Sequence, residues 1–566
     1  MRWIDWAVLI GTVTMIVAYG TWKTRGIKSV SSYLRGGSDT KWYTIGLSIM
    51  ATQASAITFL SVPGQAYEDG MSYVQFYFGL PIAMVLLSAT IVPLYYRLKV
   101  FTAYEYLEKR FDLKTRLLTA FIFLLQRGLA AGISIYAPAI ILSTVLGWPL
   151  HLTNLLIGTL VIIYTVSGGT RAVNQTQQYQ MVVMLGGMLA AFFFILFRLP
   201  SDVSFGDTVG IAGALGKMNV VDFSPRLDTR YTLWSGLTGG LFVALAYFGT
   251  DQSQVQRYLS GSTLAESRLG LLFNALIKVP MQFLILFVGV IVLVFYQFHQ
   301  PPAFFNGAEL ESIRQAPGGG RLGPLETSYA NAFAQKRAEL AAWLSARKAG
   351  DPVALESAKE RLKAADARSR DIRTQIKALI AQLNPRAETK DADYIFIDFV
   401  IKYFPAGLVG LLIAVIFCAA MSATASALNA LGTTTVVDFY KRLWKPHATE
   451  AHYLGAAKLF TVFWGAVAML FAAFASLLDN LIQAVNILGS IFYGPMLGVF
   501  VVGFFLKRVP GTAAFWATLA AQVLVVMVFV YSQIGFLWYN VIGCAAVVAL
   551  ALAITPWSTP APAAQA

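Results

Sequence analysis

About thirteen long apolar segments run through the chain, and they restrict it to a membrane-embedded helical fold. A helix that crosses a membrane needs about 20 mostly apolar residues, because each residue rises about 1.5 Å and the hydrocarbon layer is about 30 Å thick. The segments lie near residues 5–22, 43–66, 72–96, 117–146, 150–167, 178–197, 233–256, 269–297, 396–436, 453–477, 480–505, 511–533 and 536–556. We therefore expect an all-α membrane protein with about 13 transmembrane helices.

The composition agrees with a membrane protein and excludes several other classes. Hydrophobic residues make up 57% of the chain and charged residues 13%, whereas a soluble domain carries roughly 25% charged residues. Cys418 and Cys544 both lie in apolar runs, and the four histidines lack metal-ligand spacing. The sequence thus predicts neither a metalloenzyme nor a bound cofactor.

The positive charges sort into alternate loops, which explains the net charge of +14 without a nucleic-acid partner. The loop after the first segment contains Lys23, Arg25, Lys28, Arg35 and Lys41. The loop after the third contains Arg97, Lys99, Lys109, Arg110, Lys114 and Arg116. The same side is expected to carry Arg171, Arg257, Arg268, Lys441, Arg442, Lys445, Lys507 and Arg508. Residues 66–72 and 147–152 contain no lysine or arginine. We expect a multi-pass protein of the cell (inner) membrane, with the N-terminus outside and the C-terminus in the cytoplasm.

One polar insertion, residues 300–394, interrupts the apolar pattern on the outer side. Apolar residues spaced by three and four predict two helices within 325–384, and Gly350-Asp351-Pro352 supplies a break, an N-cap and a first-turn proline. An antiparallel helical hairpin is expected. It serves either as a rigid decoration or as a contact for a dimer or another partner.

Polar residues inside two segments point to a binding site, because polar groups in a span are costly. The second segment contains Gln53, Ser55 and Thr58 and is expected to be interrupted at Pro63-Gly64. Such interrupted helices coordinate ions and solutes in transporters, although small residues also serve close packing alone.

The ninth segment carries Ser422, Thr424, Ser426 and Asn429 among alanines. These side chains either bond to carbonyls one turn earlier or supply oxygen ligands to a hard cation such as Na⁺.

Two cations lie within segments, Arg127 in the fourth and Lys278 in the eighth. Each is a functional-site candidate by default. The structural alternatives are a bond from Arg127 to backbone carbonyls and snorkelling of Lys278 toward the cytoplasm.

Several motifs together resemble the sodium:solute symporter family, and in particular its iodide, multivitamin and monocarboxylate branch. They are Val62–Tyr67, Tyr96–Leu98, Thr102–Phe111, Ile135–Ala139, Gly168–Val173, Gln252, Gln256-Arg257 and Gly494-Pro495. The resemblance implies a leucine-transporter-type fold with a 5+5 inverted repeat. Its expected divisions are a peripheral span with its loop (1–42), the first repeat (43–198), the start of the second repeat (199–299), the insertion (300–394), the remainder of the second repeat (395–505) and peripheral C-terminal spans (506–566).

The same resemblance places the family's sodium site on the carbonyls of Ala51, Ala54 and Ala419 and the hydroxyl of Ser422. A second hydroxyl usually follows the first, and here it is replaced by Ala423.

Gln177 stands where family members often have an acidic residue in the sixth span, which weakens a second sodium site. Thr424 or Ser426 would compensate. Alternatively, Arg127 would take over the electrostatic role of an ion and make transport Na⁺-independent or proton-coupled.

The resemblance also predicts a solute pocket. Lys278 matches a sugar-contacting lysine of the family, and Tyr247 matches an inner gate. The remaining predicted lining residues are Gln53, Ser55, Thr58, Phe76, Tyr77, Phe248 and Asn486.

The sequence as a whole predicts a Na⁺-coupled symporter of a small polar solute that works by alternating access. The two intramembrane cations favour an anionic solute, since an anion would offset their desolvation. A solute sensor built on a transporter fold and a channel are the rival functions.

Overall fold

The computed structural model describes residues 1–23, 33–34, 36, 39–385, 387, 389–474 and 481–555. Over these ranges the chain is helical, and the only extended pairing is an isolated bridge between Thr40 and Gly261. Arg25, Lys28, Arg35 and the residues from 556 onward lie outside the described part of the chain.

The first half of the described chain contains eleven α-helices. They are α1 (Trp3–Lys23), α2 (Trp42–Gln53), α3 (Ala56–Asp69), α4 (Leu80–Ala89), α5 (Ile91–Leu98), α6 (Glu105–Arg110), α7 (Leu113–Leu146), α8 (Leu150–Phe197), α9 (Phe205–Ala214), α10 (Gly240–Thr250) and α11 (Gln252–Tyr258). A 3₁₀ segment (Met71–Tyr77) precedes α4, and a π segment (Ser235–Gly239) precedes α10.

The second half begins with a long apolar helix and contains the insertion. Its helices are α12 (Leu264–Phe298), α13 (Gly307–Gln315), α14 (Leu322–Ala349), α15 (Pro352–Leu383), α16 (Ala392–Tyr403), α17 (Leu408–Thr434), α18 (Glu450–Ala472), α19 (Leu481–Phe505), α20 (Gly511–Tyr531) and α21 (Leu537–Ile554). A π segment (Thr435–Trp444) continues α17.

Among the described residues, nine helical stretches are long and apolar enough to cross a membrane, and the bent pair α2 and α3 forms a further candidate span. Three shorter apolar helices, Trp3–Tyr19, Leu150–Val166 and Ser235–Thr250, fall on other predicted segments. The all-α membrane fold is confirmed, whereas the count of thirteen spans stays a prediction.

The interruption of the second segment lies nearer its start than the sequence indicates. The axis bends by 60° between α2 and α3, at residues 54–55, while Pro63 lies inside α3. The expected break at Pro63-Gly64 is therefore wrong. Gly64 instead permits close packing, because a Cβ there would lie 1.9 Å from the carbonyl oxygen of Ala392.

The predicted ninth segment, 396–436, is divided into α16 and α17. Pro405 lacks a backbone N–H, and Gly407 adopts a φ of 87°, so the helix cannot run through. Asp5 of α1 caps the new helix start by accepting hydrogen bonds from the N–H groups of Gly407 (2.7 Å) and Gly410 (3.2 Å).

The fifth and sixth predicted segments meet at a kink in α8. Gly169 has a φ of 58° and a ψ of −166°, which breaks the helical path between them. A Cβ at Gly169 would also lie 2.5 Å from the ring of Tyr33. Both the positive φ and this close contact therefore favour glycine at this position.

The expected helical hairpin is present as α14 and α15. Gly350 adopts a φ of 70°, and the carboxylate of Asp351 accepts hydrogen bonds from the N–H groups of Val353 and Ala354. Arg347 binds Asp207 at 3.0 Å, which attaches the tip of the hairpin to the start of α9. The hairpin thus lies against the body of the protein.

One cation expected in a cytoplasmic loop is instead fully buried. Arg257 lies in the last turn of α11 and donates a hydrogen bond to Asn174 of α8 at 2.5 Å. Arg257 therefore belongs to a short buried helix, and its assignment to a solvated cytoplasmic loop is wrong.

We predict that Gly64→Ala lowers thermal stability. The added methyl group must displace the backbone of Ala392, and overpacking of this kind costs about 1–3 kcal/mol. The melting temperature of the purified protein in detergent measures the effect.

Gly186→Ala is the matched control, because Gly186 lies in α8 and a Cβ added there would have no atom within 4 Å. Its melting temperature should stay constant or rise, since alanine favours helix over glycine. Equal losses in the two variants would contradict the packing argument.

Candidate functional site

A cavity of about 110 Å³ lies beside the break between α2 and α3. Its wall contains eight of the nine side chains predicted to contact a solute, namely Gln53, Ser55, Thr58, Phe76, Tyr77, Tyr247, Phe248 and Asn486. Lys278 does not line it. The wall therefore combines polar groups from the broken helix with aromatic rings from the 3₁₀ segment and α10.

The break in the second segment frees backbone groups at the cavity. Ala54 has a ψ of 82°, and the N–H of Ser55 bonds to the carbonyl of Gln53 rather than to that of Ala51. The carbonyl oxygen of Ala51 instead accepts a hydrogen bond from the hydroxyl of Ser422 at 2.8 Å. The break thus turns a helix carbonyl toward α17.

Two of the four predicted sodium ligands are in direct contact through this hydrogen bond, and all four are fully buried: Ala51, Ala54, Ala419 and Ser422. Carbonyl and hydroxyl oxygens are the ligand types that a hard cation prefers. Their role as ligands stays a prediction.

Gln177 occupies a cluster of oxygens next to these residues. Its amide nitrogen lies 2.8 Å from the hydroxyls of Ser422 and Ser426, 3.0 Å from that of Thr52 and 3.2 Å from the carbonyl of Ser422. Its amide oxygen accepts from Ser48. One NH₂ group therefore faces four acceptors with only two hydrogens.

The two hydroxyls expected to compensate for Gln177 lie in different surroundings. Ser426 belongs to the oxygen cluster and is 3.0 Å from Thr52. Thr424 is buried on α17, and its hydroxyl has no hydrogen-bond partner among the described residues. Of the two, Ser426 is the one placed to act together with Ser422.

Arg127 is the one charged side chain that the described residues contribute to the cavity wall. It pairs with the buried carboxylate of Asp251 and donates to the hydroxyl of Tyr493 at 2.8 Å. Tyr493 in turn donates to Asp251 at 3.0 Å, and the guanidinium carbon lies 5.3 Å from the ring centre of Tyr247. This group joins α7, α11 and α19 at the cavity.

Asp251 and Tyr493 were missed from the sequence, although a signal for Asp251 exists. Asp251 falls within the predicted span 233–256, where a carboxylate is as costly as the cation of Arg127. It follows α10 and caps α11 by accepting from the N–H of Ser253 at 2.9 Å. Tyr493 carries no comparable signal, since tyrosines recur throughout the chain.

Lys278 is fully buried on α12 behind the cavity wall. Its ammonium lies 5.6 Å from the ring centre of Tyr77 and has no hydrogen-bond partner among the described residues. Asn274 and Gln282, one turn to either side, are also fully buried with side-chain atoms left unpaired. Snorkelling to the membrane surface is therefore wrong for this lysine.

A second buried charge cluster joins α6, the start of α7 and the π segment that follows α17. Arg116 donates to Asp438 at 2.7 Å and to Glu108 at 2.6 Å, and Thr102 donates to Asp438 at 2.9 Å. These contacts tie α6 and α7 to the π segment that follows α17.

The sequence and the fold are similar to those of known proteins. The sequence model of the sodium:solute symporter family matches residues 33–312 and 377–521. The sodium/sialic acid symporter SiaT of Proteus mirabilis (strain HI4320) is 26% identical over 571 residues, which cover 99% of this chain and 96% of that protein.

Two further relatives match at similar levels. The human sodium/iodide cotransporter is 34% identical over 275 residues, covering 48% of this chain and 42% of the relative. Sodium-coupled monocarboxylate transporter 1 of Xenopus laevis is 25% identical over 532 residues, covering 94% and 72%.

The fold is similar to a solved structure of a Na⁺-coupled sialic acid symporter in its substrate-bound outward-open state. The TM-score is 0.76 at 24% identity, and 99% of each chain is covered. Family members are transporters rather than enzymes. This multi-pass membrane chain therefore belongs to the sodium:solute symporter family, whose members couple the movement of Na⁺ to that of a small solute.

Proposed function

We propose that the chain imports a carboxylate-bearing solute through the central cavity and couples each cycle to one Na⁺ bound between α2 and α17. The observation that carries the solute class is the charge of the wall. Within the described part of the chain, Arg127 is the single charged residue of this wall, and no acidic side chain lines it.

Arg127 keeps hydrogen-bonding capacity beyond its contacts with Asp251 and Tyr493. Its Nε is buried and has no hydrogen-bond partner within the described structure. A carboxylate in the cavity would meet this guanidinium together with the amides of Gln53 and Asn486, which line the same wall.

Lys278 adds a second positive charge just behind the wall. An unpaired ammonium in a buried site is costly, so an approaching anion lowers its free energy. The ring of Tyr77 lies beside this ammonium and also lines the cavity. The names of the relatives, which specify sialic acid, iodide and monocarboxylates, support an anionic solute.

The sodium site is proposed at the carbonyls of Ala51, Ala54 and Ala419 and the hydroxyl of Ser422. The contact between Ala51 and Ser422 supports it, because a cation there would be held by one helix from each repeat. Gln177 fills the neighbouring oxygen cluster with an NH₂ group, which supports a single ion per cycle. Arg127 instead bonds to Asp251 and Tyr493, which argues against a built-in arginine that replaces the ion.

Alternating access would open one side of the cavity at a time by rocking one bundle against the other. The cluster of Arg116, Glu108 and Asp438 joins helix ends that we place on the inner side, and it would have to separate when the cavity opens inward. The loop charges support placing the N-terminus outside and these inner ends in the cytoplasm of a cell (inner) membrane protein.

Solute binding by the purified chain tests the proposal. In a buffer with Na⁺, sialic acid and pyruvate are expected to raise the melting temperature in a saturable way, because a ligand that binds the folded state stabilises it by mass action. The methyl esters of the same acids, which lack the negative charge, serve as controls. Equal stabilisation by acids and esters would contradict an anion site.

We predict that Lys278→Met weakens binding of the acids while raising the melting temperature of the ligand-free protein. The substitution removes an unpaired buried charge and keeps a side chain of similar length. Uptake into proteoliposomes and thermal melting measure the two effects. Gln282→Met, equally buried on the same helix but uncharged, should leave the preference for acids intact.

We predict that Ser422→Ala raises the Na⁺ concentration for half-maximal stabilisation by at least about tenfold, since a bond to a charged group is worth roughly 1.5–3 kcal/mol. A Na⁺ titration of the melting temperature, with K⁺ maintaining ionic strength, measures the change. Thr424→Ala removes a buried hydroxyl that has no partner in the described structure and should leave the titration unchanged. Matching shifts in both variants would place the ion elsewhere.

We predict that Gln177→Glu creates a second ion site. The carboxylate would enter a cluster of four oxygens that lie 2.8–3.2 Å from the present amide nitrogen, and a second Na⁺ would balance its charge. The Hill coefficient for Na⁺ in uptake should rise from about one toward two. Gln178→Glu, which adds the same charge one residue along the helix, should leave it at its starting value.

A further inference from the structure

A second cavity, of about 190 Å³, lies between the hairpin and the outer end of α3. It shares no lining residue with the central cavity over the described ranges. Its wall includes the cations Lys217, Lys336, Arg370, Arg373 and Lys377 and the carboxylates of Glu68 and Asp366. The family's sequence model does not match residues 313–376, which include most of the hairpin and seven of the thirteen residues that line this cavity.

Positive charge exceeds negative charge around this cavity. Five of its lining residues are cationic, whereas two, Glu68 and Asp366, are acidic. Asp391, which lies behind the wall, supplies one more carboxylate by binding Arg373 at 2.7 Å and Lys377 at 2.6 Å. With Asp391 and Asp69, which acts electrostatically on Lys217, included, the five cations still outnumber the four carboxylates.

Each carboxylate is shared by two cations. Asp366 lies 3.4 Å from the ammonium of Lys336 and 3.0 Å from the guanidinium of Arg370. Glu68 is farther from its neighbours, at 3.7 Å from Arg373 and 3.8 Å from Lys377. The Nε of Arg373 is buried without a hydrogen-bond partner among the described residues. The cluster thus offers donors that its own acids do not satisfy.

Two of the cations around this cavity are buried, which makes their charge more costly without an anion. Lys217 and Lys336 are 9% and 5% exposed. Burial lowers the pKa of each ammonium, and the nearby charge of Arg370 lowers both further. An anion inside the cavity would favour the charged form of both lysines. Arg370 and Thr374 are exposed at the rim, which leaves a way in from solvent.

We propose that this cavity is a binding site for a small oxyanion, a phosphate or a carboxylate, held by Lys336, Arg370 and Arg373. Glu68 and Lys217 connect the site to the body of the transporter, because Lys217 bonds to the backbone carbonyl of Glu68 near the end of α3. The other end of α3 begins beside Ser55 in the wall of the central cavity. A bound anion would therefore fasten the hairpin to the helix that borders the central site.

The test uses the purified full-length chain in detergent at constant Na⁺ and ionic strength. Sodium phosphate replaces sodium chloride stepwise in one arm, and sodium pyruvate or sialic acid replaces it in the other. We expect a saturable rise in melting temperature in at least one arm at millimolar anion. Saturation with phosphate alone identifies a phosphate site. Because pyruvate and sialic acid are also expected to bind the central cavity, their response identifies a carboxylate site here only where Arg370→Gln weakens it.

Variants separate this site from the central one. Arg370→Gln removes a rim cation and should raise the half-saturating anion concentration at least about tenfold. Arg368→Gln, on the exposed face of the same helix, should leave it unchanged. Ser422→Ala in the central site should leave the half-saturating phosphate concentration unchanged. Calorimetric titration of the unmodified chain with phosphate gives the same constant without any substitution.

The proposal is overturned if the melting temperature does not rise in either arm, or if it rises without saturating, since that is the general effect of excluded salts. It is also overturned if Arg370→Gln and Arg368→Gln bind the anion alike, or if Ser422→Ala abolishes the phosphate response. The last two outcomes would move the anion to the surface or to the central cavity, respectively.

Discussion

The central site is organised by the break between α2 and α3. A backbone carbonyl inside the hydrocarbon layer must find a partner, because water is not available there. Ala51 finds it in the hydroxyl of Ser422, so α17 has to lie against the break. That contact brings together helices from far apart in the chain, and the cavity lies beside them. The oxygen cluster around Gln177 and the proposed sodium ligands follow from the same approach of α17 to α2.

The two cations near the cavity differ in whether a neighbouring carboxylate balances their charge. Arg127 is balanced by Asp251 and held by Tyr493, so it can remain on the wall without a ligand. Lys278 has no partner among the described residues and lies behind a wall residue, Tyr77. Arg127, held in place and compensated, is suited to recognising a solute. Lys278 is uncompensated, so the free energy of the site depends on the charge of the bound solute.

Ion pairs, in addition to helix packing, hold the hairpin in place. Arg373 and Lys377 both pair with Asp391, and Arg347 pairs with Asp207, so the hairpin is attached to the body of the protein at two places. Between these contacts the cations outnumber the acids. A purely structural attachment would be satisfied by balanced pairs, which is why the surplus points to a ligand.

Local patterns were enough to predict the membrane class, the hairpin with its turn at Gly350, the family and eight of the residues that line the cavity. Apolar length, capping residues and short motifs each occupy one stretch of chain, so they can be recognised without the fold. The bend after Gln53 rather than at Pro63 could not be predicted, because α17 stabilises it while Gly64 packs against another backbone. The pairing of Arg127 with Asp251 and the place of Lys278 behind Tyr77 also emerged only from the packed helices. The distance between charges more than a hundred residues apart depends on helix packing, and no local pattern in the sequence specifies it.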